Sequence, residues 1–307
     1  MITKGLFKHE KTLFLLPVLL TVFVFFQIYE FESILYDDPI HLYENENITS
    51  GVTADALQWA FTETAETNLW HPVTWVSYML DVELFGIEEV GLHHLVNLAA
   101  HVVASALLYF ILLHYFKNPW LALIFCCLWA IHPHRVQNVA WISQRKDVLC
   151  MSFMLGSWLT WLYSGKELRS PMAWGALALF TLSIMSKPSS IGLPLVLLAS
   201  EFLLRGSVPK KSRNMLGLFI AVSITSACLT IYFQKQGNLA DLDQTLPLMH
   251  RLLHLPFTAW WYVKASFLSN GALWVYTPTD TWSLYLQPII GLLCLGFIIF
   301  KLSLIHI

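Results

Sequence analysis

Residues 92–116 read LHHLVNLAAHVVASALLYFILLHYF, an apolar run without a single Asp, Glu, Lys or Arg. About 20 residues of this kind are enough for an α-helix to cross the hydrocarbon core of a bilayer. The rest of the chain has the same character, because charged residues make up 12% of its 307 residues, against roughly 25% in soluble domains. Hydrophobic residues make up 56%, and the mean hydropathy is +0.59. The sequence therefore predicts an all-α polytopic membrane protein.

Apolar runs on both sides of this one predict the remaining spans. We expect them at residues 12–29, 119–133, 148–164, 171–186, 189–204, 214–233, 250–268 and 284–300. Lys and Arg cluster in the loops 164–170 and 205–213, which marks these loops as cytoplasmic. The N-terminus then lies in the cytoplasm, the first run is an uncleaved span, and segments 30–91 and 134–147 lie outside.

The first outer segment, residues 30–91, is too long to be a plain connection. Within it, TADALQWAFTET (53–64) begins with the plausible N-cap Thr53, and HPVTWVSYMLDVELFG (71–86) carries Trp75 and Tyr78. We expect two amphipathic helices that lie on the outer membrane surface, with Trp and Tyr at headgroup level.

The motif YDDP (36–39) places two adjacent carboxylates, Asp37 and Asp38, just outside the first span. Neighbouring carboxylates repel each other and raise one pKa, which suits a general base. The alternative is a solvated turn before Pro39. The position of the pair favours the catalytic interpretation, since the other polar residues are predicted at the same membrane face.

Three of the polar residues in the apolar run quoted above share one face of a helix. His94, Asn97 and His101 follow the spacing i, i+3, i+7 and form one stripe on a helix. They either make hydrogen bonds between helices or line a wet groove beside Asp37. No cysteine or histidine spacing in the chain predicts a metal site, although a divalent metal remains an alternative.

The stretch HPHRVQNVAWISQRKDV (132–148) concentrates charge between two apolar runs. Its candidate site residues are His132, Arg135, Arg145, Lys146 and Asp147. Cations are disfavoured on the outer face, so their presence there predicts a function. Lys187, in MSKPSS (185–190), adds a cation at the same face. Carboxylates, histidines and cations at one membrane face fit a lipid-linked phosphate substrate, because cations stabilise a phosphate leaving group.

Five stretches together resemble one known family. They are YDDP with a following Asn and Gly (36–51), NLWHPVTWVSYMLDVELFG (68–86), GLHHLVNLAAH (91–101), HPHRVQNVAWISQRKDVL (132–149) and MSKPSSIGLPLVLL (185–198). Over residues 30–205 the chain resembles the bacterial branch of the transmembrane and tetratricopeptide-repeat protein O-mannosyltransferases, in the GT-C glycosyltransferase superfamily. The chain differs from this family in two respects. It has Gln137 where the family usually has Glu, and the given sequence contains no tetratricopeptide repeats.

The resemblance implies a GT-C-type transmembrane helix bundle over residues 1–301. The donor would be a polyprenyl-phosphate-linked hexose such as mannose, and the acceptor a Ser or Thr hydroxyl of an exported protein. Transfer would invert the anomeric carbon at the periplasmic or extracellular face of the bacterial inner membrane. Membrane lipid would surround the protein, and neither a nucleic acid nor a certain cofactor is implied.

The same resemblance implies roles for single residues. Asp37 would be the general base, and Asp38 would orient it or the acceptor. Arg145 and Lys187 would grip the donor phosphate, with Lys146 and Arg135 in support. The remaining candidates for substrate contact are His94, Asn97, His101, His132 and Asp147.

The last six residues, LSLIHI (302–307), match the translation of a sequencing-library adaptor. We expect them to be read-through, with the native protein and its tetratricopeptide repeats continuing past about residue 301. Three other functions stay open on the sequence alone. They are a GT-C transferase acting on a lipid or envelope glycan, a transporter of lipid-linked sugars, and a non-catalytic assembly scaffold.

Overall fold

A computed structural model describes residues 12–64 and 69–236, together with the isolated positions 255, 258, 262, 289–293 and 296. The chain divides into two units, Met1–Ala240 and Asp241–Ile307, and the two long described ranges belong to the first. Apart from those isolated positions, the predicted spans 250–268 and 284–300 lie outside the described residues, as does the predicted read-through at 302–307.

Every regular element in residues 12–64 and 69–236 is helical. The α-helices are α1 Leu15–Phe25, α2 Glu46–Thr49, α3 Ala54–Thr62, α4 Pro72–Phe85, α5 Val90–Phe116, α6 Pro119–Ala130, α7 Arg135–Ala140, α8 Arg145–Tyr163, α9 Pro171–Ser186, α10 Leu193–Arg205 and α11 Lys210–Gln236. Short 3₁₀ or π helices cover Phe26–Glu30, Pro39–Tyr43, Ile142–Gln144 and Pro188–Gly192. The predicted all-α class is confirmed for this part of the chain.

Among the residues that the structure describes, three helical segments are long and apolar enough to cross a membrane: Val90–Phe116, Pro188–Arg205 and Lys210–Lys235. Shorter apolar helices occupy three further predicted spans, at Leu15–Glu30, Pro119–Ala130 and Pro171–Ser186. These segments indicate a membrane protein. Their starts follow local chemistry, since Asn118 accepts hydrogen bonds from Trp120 and Leu121 and so caps α6.

The long helix α5 lies at the centre of the first unit and packs against α1, α6 and α8. Helix α8 packs in turn on α9, and α9 on α11. α5 and α8 begin at the same end, where the Arg145 guanidinium at the start of α8 donates to the His93 carbonyl oxygen, 2.6 Å away, near the start of α5. We call this the loop end. It holds the first outer segment, the 131–144 connection and the 187–192 connection.

The two helices predicted in the first outer segment are present as α3 and α4. Thr53 caps α3, since its hydroxyl accepts from the Ala56 N–H at 3.1 Å. The expectation that Trp75 and Tyr78 lie at headgroup level is wrong. Their side chains are 1% and 0% exposed and pack in a core cluster with Leu42, Ile48 and Ile142. The segment folds over its own apolar stripe, so protein rather than lipid removes the aromatic surface from water.

The first outer segment begins and ends at the same place in the helix bundle. Gly91, in the first turn of α5, lies directly against Tyr29 at the end of the first apolar run. A methyl group on Gly91 would overlap the Tyr29 carbonyl oxygen and come within 2.8 Å of its ring. Glycine is therefore required for this close approach.

Candidate functional site

Three predicted site segments meet at the loop end. The Asp38 carboxylate accepts a hydrogen bond from the Ser143 N–H at 2.9 Å, which joins the first outer segment to the 131–144 connection. The Thr74 hydroxyl donates to the Ser186 carbonyl oxygen at 3.0 Å, which joins α4 to the end of α9. The structure therefore brings the acidic pair, the basic stretch and Lys187 to the same end of the bundle.

The two adjacent aspartates occupy different environments. Asp38 is fully buried, and its two oxygens accept from the Ile34 N–H at 2.9 Å and from both the N–H and the hydroxyl of Ser143. Asp37 is half-buried, and within the described residues its carboxylate makes no hydrogen bond or ion pair. The oxygens of Asp38 are thus occupied by protein donors, whereas those of Asp37 stay available to a ligand.

Arg145 lies in the protein interior, with no exposed surface. Its Nε donates to the Asn97 side-chain oxygen at 2.7 Å, one terminal nitrogen donates to the His93 carbonyl oxygen at 2.6 Å, and the other forms an ion pair with Asp81. The guanidinium also lies over the Tyr78 ring, 4.8 Å from its centre. These partners occupy the donors that sequence reasoning assigned to a phosphate, so the structure places Arg145 in a positioning network instead.

Sequence reasoning missed Asp81 and His93 in this network. The Asp81 carboxylate lies 3.1 Å from the His93 ring nitrogen Nδ1 and is itself buried. A signal was present in the sequence, because Asp81 follows Trp75 and Tyr78 at helical spacing on the apolar stripe of α4. A carboxylate on a buried stripe requires a buried cation or donor.

A cavity of about 300 Å³ opens beside this network. Its lining includes Lys146 and Lys187 together with His71, Trp70 and Gln234. The Lys187 ammonium donates to both oxygens of Asp147, at 2.8 and 2.7 Å. We call this space the lysine cavity.

Lys146 is the lysine of this cavity that makes no direct ion pair among the described residues. Its side chain is buried, and no hydrogen bond or ion pair within the described residues involves its ammonium group. The carboxylates of Asp37, Asp38 and Asp147 lie within electrostatic range of it. The cavity wall thus offers two lysines, of which only Lys187 is paired, and is suited to an anion.

Two histidines near the lysine cavity are uncharged at neutral pH. The rings of His41 and His71 both pack against Trp75. Burial, and then the charge of Lys146, lowers the pKa of each to about 3. The positive charge of this region therefore comes from the lysines and not from imidazolium groups.

These two histidines should make stability depend on pH. Each stays neutral in the folded protein down to about pH 3 but protonates below about 6.5 when unfolded. The unfolded state therefore binds more protons as the pH falls, and each group should cost about 1.4 kcal/mol per pH unit below 6.5. Thermal unfolding in detergent between about pH 7 and pH 5 should show this fall. Replacing both residues with Gln should flatten the slope, and an unchanged slope would contradict the assignment.

The other polar candidates take part in contacts between elements. The Asn97 amide donates to the Trp141 carbonyl oxygen at 2.8 Å, and the His101 ring nitrogen Nε2 lies 2.8 Å from the Ala130 carbonyl oxygen. His94 packs edge-on against Phe31, and His132 stacks on His134. Of the two alternatives for the 94–97–101 stripe, hydrogen bonding between elements describes Asn97 and His101.

A second cavity, of about 220 Å³, adjoins the Asp147–Lys187 ion pair. Asp147 lines this second cavity, Lys187 lines the lysine cavity, and Ser189 lines both. Arg135 and His101 also face the second cavity. The Arg135 guanidinium lies 4.4 Å from the centre of the Trp129 ring, a cation–π distance.

In residues 12–64 and 69–236, no three His, Cys, Asp or Glu side chains are close enough together to hold a metal ion. Comparison of the chain with protein-family models, curated proteins and solved structures finds no match. The family resemblance stated from the motifs therefore stays a prediction, and the function rests on the site itself.

Proposed function

We propose that this chain is a membrane glycosyltransferase that moves a hexose from a polyprenyl-phosphate donor to a Ser or Thr hydroxyl of an exported protein. The observation that carries the proposal is the lysine cavity, in which Lys146 and Lys187 face one space at the loop end. Two ammonium groups in a partly desolvated site stabilise the charge that develops on a departing phosphate. The five stretches quoted above support the same function through their family resemblance.

The chemical step is one displacement at the anomeric carbon. The acceptor hydroxyl oxygen forms a bond to that carbon, and the bond from the carbon to the phosphate oxygen breaks. The hydroxyl proton passes to the Asp37 carboxylate, and the electron pair of the broken bond stays on the polyprenyl phosphate. One carboxylate base is sufficient, because no covalent glycosyl-enzyme intermediate forms in an inverting transfer.

The charge distribution supports an orientation with the site outside the cytoplasm. The opposite end of the bundle carries cations near the helix ends, among them Lys117, Arg169 and Lys211. Basic loops remain in the cytoplasm, so the loop end faces the other compartment. In a bacterium such an orientation is consistent with a reaction at the outer face of the inner membrane, where exported proteins are accessible.

Replacing Lys146 with Met tests the proposal. The variant removes the unpaired ammonium group while keeping an unbranched side chain, so binding of the donor phosphate should weaken by about 10- to 100-fold. The measurement is transfer of labelled hexose from a polyprenyl-phosphate donor to a Ser- or Thr-containing peptide in membranes. The loss should appear chiefly in KM for the donor.

Lys117→Met, at the opposite end, is the matched control and should retain wild-type transfer. Equal donor KM values for the Lys146 and Lys117 variants would refute a role of the lysine cavity in donor binding. Absence of transfer by the wild-type protein with every hexose donor supplied would refute the function itself.

A further inference from the structure

Exposed apolar side chains run along the first helix and continue into the turn beside Asp37. On α1 and the short helix that follows it, Leu19, Phe23 and Phe26 have the spacing i, i+4, i+7 and lie on one exposed side. Leu35, in the turn, is 88% exposed, the highest value for a large apolar side chain among the described residues. We call this surface the apolar strip, and its members are Leu19, Phe23, Phe26, Phe31, Ile34 and Leu35.

The turn that carries Leu35 is held in place by the buried Asp38. One oxygen of the Asp38 carboxylate accepts a hydrogen bond from the Ile34 N–H at 2.9 Å and so closes the turn. The other oxygen accepts from the Ser143 N–H at 2.9 Å and fixes the turn to the helix bundle. The Tyr36 N–H also donates to the Ile34 carbonyl oxygen at 2.7 Å. The fold therefore holds Leu35 outward, and a surface outside the described part of the chain must remove its side chain from water.

The length of the first apolar run places this turn at the edge of the membrane. Helix α1 rises about 16 Å over its eleven residues, and the short helix Phe26–Glu30 adds about 10 Å. The sum of about 26 Å is close to the hydrocarbon thickness of about 30 Å. The exposed carboxylates of Glu30 and Glu32 then lie at the level of the headgroups, and Leu35 follows only a few residues later.

Three surfaces could cover Leu35, namely lipid, a second copy of the chain and an acceptor protein. Lipid is favoured because the apolar strip continues from α1, whose exposed side faces acyl chains at membrane depth, into the turn. Tyr36, next to Leu35, is 65% exposed, and an aromatic ring with a hydroxyl group is typical of the membrane–water interface.

We propose that the turn at residues 34–36 inserts Leu35 and Tyr36 into the membrane leaflet at the loop end. The partner is a lipid surface, which recognises the turn through burial of apolar area and not through a particular headgroup. The insertion gives Asp37 a fixed depth at the membrane boundary, because the same turn holds both Leu35 and Asp37. This inference does not depend on the proposed function.

Photocrosslinking of the full chain in native membranes tests the insertion. With p-benzoylphenylalanine in place of Leu35, irradiation should attach phospholipid to the turn, detected as a lipid-mass adduct on the peptide. The adduct yield should match that of the same probe in place of Phe23, which is 84% exposed on α1. It should exceed several-fold the yield of the probe in place of Asp55, an exposed position of the same outer segment.

Two results would overturn the proposal. The first is a lipid adduct at position 35 that is as rare as the adduct at position 55. The second is a crosslink from position 35 chiefly to another protein, because a band at twice the chain mass would identify a second copy and any other band an acceptor or a different partner.

A second measurement uses the wild-type protein. In lipid nanodiscs that hold one copy of the chain, hydroxyl radicals should oxidise Tyr36 more slowly than Phe61, after each rate is divided by that of the unfolded chain. Without lipid the order would be reversed, since the protein alone leaves Tyr36 65% and Phe61 46% exposed. Faster oxidation of Tyr36 in nanodiscs would show that the turn lies in water and would refute the insertion. Neither experiment involves hexose transfer, so its failure leaves the proposed function standing.

Discussion

Asp37→Asn should lower hexose transfer by about 10²- to 10⁴-fold, the usual contribution of a positioned general base. Asn has nearly the same shape as Asp but cannot take the proton of the attacking hydroxyl. Asp37 is suited to this role because its carboxylate is half-buried and lies within electrostatic range of Lys146. The buried neighbour Asp38 has its oxygens occupied by Ile34 and Ser143. The measurement is the initial rate of labelled hexose transfer in membranes at saturating donor.

Asp55→Asn is the control for this prediction, because Asp55 is an exposed carboxylate of the same outer segment. It should transfer at the wild-type rate, and both variants should reach the membrane in equal amounts. Near-normal turnover by the Asp37 variant would remove this residue from the mechanism.

Asp81→Ala should destabilise the folded protein by about 3–5 kcal/mol, because it leaves the buried Arg145 guanidinium without a counter-charge. Neither partner is available to solvent: Arg145 is 0% exposed and Asp81 is 4% exposed. His93 would also lose its carboxylate partner. Thermal unfolding in detergent should show a lower midpoint for this variant than for Asp55→Ala, which removes an exposed carboxylate.

The double variant Asp81→Leu with Arg145→Met distinguishes a lost charge pair from lost packing. Removing both charges eliminates the cost of burying either one alone, so the double variant should be more stable than Asp81→Ala. If the loss of stability of the double variant relative to wild type instead equals the sum of the losses of Asp81→Leu and Arg145→Met measured singly, the two residues do not interact, and the ion pair contributes no stability.

The helices were predictable from the sequence because apolar runs have few structural alternatives. The run 92–116 became α5 at Val90–Phe116, and the run 171–186 became α9 at Pro171–Ser186. Whether an amphipathic stripe packs against lipid or against protein was less predictable. The pattern of Trp75 and Tyr78 fits a lipid surface and a protein core equally well, and the choice depends on whether the preceding residues fold back over it.

In the candidate site, the sequence likewise did not predict which single side chain faces the cavity. Arg145 and Lys146 are adjacent, so on a helix their side chains point about 100° apart and only one can face a given cavity. Sequence reasoning preferred Arg145 for the phosphate because a guanidinium matches phosphate geometry. In the structure Arg145 forms an ion pair with Asp81, which lies on the separate helix α4, and Lys146 lines the lysine cavity. A pairing over such a distance in the chain cannot be read from a local motif.

The contact of Gly91 with Tyr29 has a consequence for how such proteins diversify. Because residues 30–90 start and finish at one place, they form a closed excursion between two helices whose ends stay adjacent. Recombination could therefore exchange this excursion between related chains as a unit, provided that Gly91 and the partners of the excursion at Ser143, Ser186 and Arg145 are present in the receiving chain. New side chains could enter the loop end in this way while the helix bundle is inherited unchanged.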